Sequence, residues 1–207
     1  MQLRYATTHT SEQYVSQQAW REASLTQCPW HPADECNFKR NGTYGRKVPA
    51  GTRVPRWYCP QECRTVSLLA DCLAAKLSGS LAEVEQVVEV DEQARNHEVA
   101  AEQLRVDIEL PGSLRWVRRR RQSVHAALVK LIGLLPGSFD GCEPTLLSVR
   151  ARLGTESESS VLPVLRELGE QHLQELPPPV GFGHRVGPGA GRRQQHDMGP
   201  RAPPEAS

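Results

Sequence analysis

The chain has 207 residues, a formal net charge of +1 and a hydrophobic fraction of 38%, with aromatic residues at only 5%. That length holds one ordinary domain or two small ones, and 16 Gly, 16 Pro and few aromatics predict a modest core and a portion that does not fold. No window approaches the roughly 18 uninterrupted apolar residues of a membrane span, and MQLRYATTHTSEQY lacks an apolar signal region, so a soluble, unexported, cytoplasmic protein is expected.

Residues 1–27 are polar, and SEQYVSQQAWREASL reads as a short amphipathic helix that carries Tyr14 and Trp20, with Ser11 as its cap. From residue 37 to 58, NFKRNGTYGRKVPAGTRVPRWY sets β-formers on both sides of a Pro-Ala-Gly turn, which predicts a hairpin whose Pro49 and Pro55 confine its strands to edges. The apolar run RTVSLLADCLAAKLSGSL can then cap that hairpin. Ser80 precedes LAEVEQVVEVDEQA, where Leu81, Val84, Val87 and Val88 recur at helical spacing and Glu83 completes a capping box.

A second helix is predicted over NHEVAAEQLRV. After the break DIELPGS, LRWVRRRRQSVHAALVKLIGLL resumes the period through Leu114, Val117, Val124, Leu128, Leu131 and Leu135. EPTLLSVRARLG and SVLPVLRELGEQHLQEL read as further helices of a small bundle, and the Pro-, Gly- and Arg-rich stretch 177–207 reads as disordered. The expected fold class is therefore α+β: an N-terminal segment over 1–27, a zinc-ribbon-like hairpin module over 28–78, and a helical domain over 79–176. Within the last, residues 97–135 form a helix-turn-helix-like element.

Six cysteines in an unexported chain favour metal ligands and buried thiols over disulfides. Structural zinc takes four Cys or His ligands, in two close pairs carried by tight turns. Cys28-Pro29-Trp30-His31 is one such pair, and Cys59 with Cys63 is the second. The candidate ligands are Cys28, His31, Cys59 and Cys63, with Cys36 as the alternative to His31; spacing favours His31. The region between the pairs is too poor in apolar residues to fold without a cross-link, so the metal would be structural zinc. Glu62 and His97 are the carboxylate and imidazole that a zinc hydrolase would need, but Glu62 sits inside a knuckle that should face solvent. Cys72 and Cys142 lie in apolar helical settings and read as core thiols.

Arg115, Arg118, Arg119, Arg120 and Arg121 crowd two turns of one helix, where they repel one another unless an anion or the acidic helix over 83–102 compensates. Arg offers a planar fork to phosphate. With Trp116, these residues and Arg46, Lys47, Arg53 and Arg56 of the hairpin are the candidate nucleic-acid contacts, and DNA is the expected partner. No catalytic constellation stands out, and none of these patterns specifies an oligomeric state.

The strings CPWHPADECNFKRNGTYGRKVPAGTRVPRWYCPQECRTVSLLADCLAAKL and IELPGSLRWVRRRR resemble an uncharacterised bacterial family with a zinc-ribbon-like front end and a helix-turn-helix-like middle. The front end is similar to the N-terminal zinc-binding part of insertion-sequence transposases and their helper proteins. The resemblance covers about residues 11–182 and implies a non-enzymatic, DNA-associated role, either regulatory or beside a transposase. The acidic triad of a transposase on a ribonuclease-H-like framework is missing. A protein-interaction or scaffold module whose arginines pair with the acidic helix is the alternative.

Overall fold

The α+β architecture is seen in a computed structural model, which describes residues 1–33, 36–106, 108, 110–154 and 160–183. Its sheet has four strands: β1 (Gln2–Tyr5), β2 (Lys39–Gly45), β3 (Arg53–Cys59) and β4 (Arg64–Ala70), in the order β1-β4-β3-β2. The predicted hairpin is the β2–β3 pair. Two strands went unforeseen. β4 arises from the apolar run after Cys63, and β1 adds to it in parallel, Leu3 opposite Leu68. Contrary to expectation, Pro55 lies in an internal strand. This is tolerated because the β3–β4 ladder begins only at Arg56, so no β4 partner needs the missing N–H of Pro55.

Six of the seven α-helices among the described residues fall within expected segments; α1 and α7 are shorter than expected, and α5 was not foreseen. α1 (Ser11–Ser16) is capped by Thr10, one residue earlier than expected, with Gln13 closing the capping box. α2 (Leu81–Gln93) has the predicted Ser80–Glu83 box. α3 (His97–Leu104) and α4 (Gly112–Leu134) flank the break, and α5 (Pro136–Phe139), α6 (Leu146–Leu153) and α7 (Val161–Leu168) complete the bundle. Among the described residues no helix is long and apolar enough to cross a membrane.

One apolar core runs through all the segments. Tyr14 and Trp20 from the N-terminal segment, Val54 and Leu69 from the sheet, and Val88, Leu128 and Leu165 from the helices belong to a single cluster. The three expected segments thus share their interior. The other face of the sheet carries a smaller cluster of Ala23, Trp57 and Leu68, flanked by Leu25 and Phe38, which holds the loop leading to Cys28 and Cys36.

The C-terminal boundary also moves. Residues 177–183, expected to begin a disordered tail, are buried; Val180 and Phe182 enter the main core. The rest of that expected tail lies outside the described residues. Arg166 explains the anchoring. Its side chain is 0% exposed, and its guanidinium donates to the carbonyls of Ala70, Asp71 and Leu73 at the end of β4 and of Pro179 and Val180, at 2.7–3.2 Å. Burial lowers its pKa to about 10, so the charge persists at neutral pH.

Glu85 performs the converse task. Its buried carboxylate accepts from the backbone N–H of Val161 and Leu162 and pairs with Arg150, which satisfies the N-terminus of α7. Replacement of Arg166 by Met should remove at least about 3 kcal/mol of stability, because several buried carbonyls lose their donor together. Urea denaturation would measure it. A chain ending at Leu176 should show a comparable loss relative to one ending at Gly183.

Candidate metal centre and basic surface

The loop after α1 and the short 3-10 turn at Ala19–Arg21 crosses the outer face of the sheet and carries Cys28, His31 and Cys36 to the end of β3, where Cys59 is fully buried. The four ligand atoms lie within 4.8 Å of one another. Cys28 Sγ is 3.6 Å and Cys59 Sγ 3.5 Å from His31 Nδ1, and the Sγ atoms of Cys36 and Cys59 are 3.9 Å apart. These four side chains could hold a metal ion.

The ligand set differs from the expected one at a single position. His31 and Cys36 are both present instead of competing, and Cys63 is outside the cluster. It sits in the β3–β4 turn with φ +51°, exposed, and its thiol donates to the Pro60 carbonyl at 3.4 Å. A thiol there points along the turn. The residues between His31 and Cys36 give the chain enough length to bring Cys36 back to the cluster, which spacing rules for tight pairs do not capture.

Within the cluster, Cys28 is prepared for thiolate character and Cys36 is not. Burial opposes ionisation of Cys28, but the backbone N–H groups of Trp30 and His31 and the imidazole together bring its pKa down to about 7. Burial, with the neighbouring thiols of Cys28 and Cys59, pushes Cys36 up to about 11. The N–H of Glu62 donates to Cys59 Sγ at 3.5 Å, and Glu62 Oε1 lies 3.7 Å from His31 Nε2. As expected, the Glu62 carboxylate faces solvent; it stands near the outer edge of the His31 ring, beyond hydrogen-bond reach. His97 is engaged elsewhere, with Asp91 at 2.5 Å. Cys72 and Cys142 are half-buried against the main core.

The candidate nucleic-acid contacts divide by environment. Arg46 is an internal tie that donates to the carbonyls of Ala74, Leu77 and Gly79. Arg120 is 7% exposed, stacks 3.9 Å from the Trp116 ring centroid and donates to Ser78; burial, then Arg105 and Arg119, lowers its pKa to about 10. Arg121 pairs with buried Asp91 at 2.9 Å. Arg56 is half-buried over Tyr44, and Trp116 is half-buried with Arg105 on it as well. Arg115, Arg118, Arg119, Lys47 and Arg53 are exposed.

The acidic helix has other commitments. On α2, Glu83 caps its own helix, Glu85 serves α7, Glu89 pairs with Arg150, and Glu92 accepts from the Leu146 N–H. The pairing expected between acidic helix and arginine helix is found at Arg121–Asp91 alone among the described residues.

No family model matches the chain, and neither a curated protein nor a solved structure matches it.

Substitution of Cys28, His31, Cys36 or Cys59, one at a time, should abolish stoichiometric metal binding as read by elemental analysis, whereas Cys63→Ser should retain it.

Proposed function

We propose that this is a non-enzymatic DNA-binding protein whose N-terminal loop is closed by structural zinc on Cys28, His31, Cys36 and Cys59. Ordinary Zn–S and Zn–N bonds at tetrahedral angles require S···S of about 3.8 Å and S···N of about 3.6 Å. The closest contacts of the cluster, 3.9, 3.5 and 3.6 Å, fit that requirement. Three sulfurs and one nitrogen are a soft, closed set, suited to zinc as a cross-link. The site would fasten the loop to β3, and its chemistry would be confined to that.

The observation that carries the DNA reading is the set of arginines left over once internal pairs are made. Arg115, Arg118 and Arg119 project to solvent from the first turns of α4 with no ion pair to a described carboxylate, while the acids of α2 are occupied elsewhere. In the helix-turn-helix-like succession of α3 and α4, the exposed basic turns lie at the start of the second helix, the part that meets DNA in that motif. The resemblance extends the proposal to a regulatory or transposase-associated role.

One observation favours the alternative of a protein-interaction module: beside these arginines, Val106 is 84% and Leu110 42% exposed on the α3–α4 connection.

Fluorescence anisotropy with a labelled DNA duplex discriminates. Replacement of Arg115, Arg118 and Arg119 together by Ala should weaken binding to all sequences alike and lower the slope of log K against log salt by about 2–3. Duplex binding that is absent at low salt, or indifferent to the triple substitution, would overturn the DNA reading. Arg120→Ala should instead lower thermal stability.

A further inference from the structure

A second basic feature lies away from α4. Where α1 and the 3-10 turn at Ala19–Arg21 meet the β2–β3 hairpin, an open cleft of about 710 Å³ is lined by Arg21, Arg40 and Arg53 together with Gln18 and Thr43, and among the described residues no carboxylate lines it. Three guanidinium-bearing side chains around one cleft give it a positive potential. An arrangement of this kind is stabilised by an anion.

The cleft is built from fixed parts. Arg40 donates through Nη1 to the Arg21 carbonyl at 3.0 Å and through Nη2 to the Trp20 carbonyl at 2.5 Å, and its Cζ lies 5.4 Å from the Trp57 ring centroid. These neutral partners hold its orientation and leave its charge uncompensated. Arg53 donates to Thr43 Oγ1 at 3.3 Å, again a neutral acceptor. The Arg21 side chain has no hydrogen bond or ion pair among the described residues.

Backbone geometry shapes the opening. The β2–β3 register shifts between Arg40 and Thr43, a bulge that re-aims side chains along the exposed edge strand. At Gly51, with φ +78°, a Cβ would stand 3.2 Å from Val15 Cγ1, so this turn needs glycine to close against α1.

We infer that this cleft seats a phosphate of a nucleic-acid backbone, held by Arg21, Arg40 and Arg53. The identity of the ligand rests on the DNA reading above, but the site is separate from α4 and involves Arg21, which the sequence patterns did not nominate as a contact. A guanidinium fork matches phosphate oxygens, and the Thr43 and Gln18 side chains add neutral donors. The volume exceeds that of one phosphate, which leaves room for the adjoining sugars.

The test uses the full chain and an R21Q/R53Q double variant, since Arg40 also supports the loop. In anisotropy titrations with duplex DNA, the double variant should bind about tenfold more weakly at 0.1 M salt and lower the salt slope by about 2. Independently, inorganic pyrophosphate should shift the Arg40 and Arg53 Nε–H resonances of the wild-type chain, and the Arg40 shift should be lost in R21Q/R53Q. Wild-type DNA binding unchanged in the double variant overturns the cleft and leaves the α4 reading intact. Absent DNA binding with a clear pyrophosphate response removes the DNA reading and keeps an anion seat. No response to either ligand overturns the proposal.

Discussion

The fold depends on a buried cation whose hydrogen bonds all go to backbone carbonyls. Arg166 spends its N–H groups on carbonyls from two places that regular structure leaves open: the end of β4, where the chain turns out of the sheet, and the proline-rich segment after Leu176. Prolines cannot donate, so that segment makes few internal hydrogen bonds and its carbonyls need an outside donor. A guanidinium meets several such acceptors at once. Through it, α7, the sheet and the C-terminal segment become one unit, with Arg4 bracing Asp71 from the sheet's other edge by a bidentate pair.

That constraint explains what could be read in the sequence and what could not. Helices announce themselves locally: Ser80 with Glu83, the apolar period from Leu114 to Leu131, and Pro136 after α4 each settle a boundary within one turn. The hairpin likewise follows from its β-formers and turn. β1 was hidden because QLRY is short, half-buried and mostly polar, and it becomes a strand only by adding to β4. Residues 177–183 were hidden for a related reason. Their composition is that of a loop, and their burial is tied to Arg166, whose charge, next to Glu167 in VLPVLREL, looks like any solvent-facing residue of an amphipathic helix.

The candidate site shows the same division. Cys28 and His31 were legible as a pair because a two-residue spacing is itself a local structure. Choosing between Cys36 and Cys63 required the path of the chain. Cys63 is close to Cys59 in sequence but trapped in a turn that aims it outward, whereas Cys36 is distant in sequence and delivered by a loop lying on Trp57 and Leu68. Charge was the least legible feature. Five basic positions on α4 separate into an aromatic-stacked tie, an ion pair and three exposed arginines with no ion pair among the described residues, because a helix distributes neighbours around its axis.

The metal cluster and the arginine cleft are connected by covalent chain. The loop that Cys28 and Cys36 fasten begins just after Trp20 and Arg21, whose carbonyls hold Arg40, and ends just before β2, which carries Arg40 itself. A metal held by Cys28, His31, Cys36 and Cys59 would therefore tie this loop to the end of β3. Few apolar contacts hold the loop, since the outer cluster rests mainly on Ala23, Trp57 and Leu68. A small apolar cluster cannot by itself restrain a loop of this length against its conformational entropy, so a metal cross-link would supply the missing rigidity. On that reading a bound metal would act on the proposed anion seat without touching it, by steadying the carbonyls that orient Arg40.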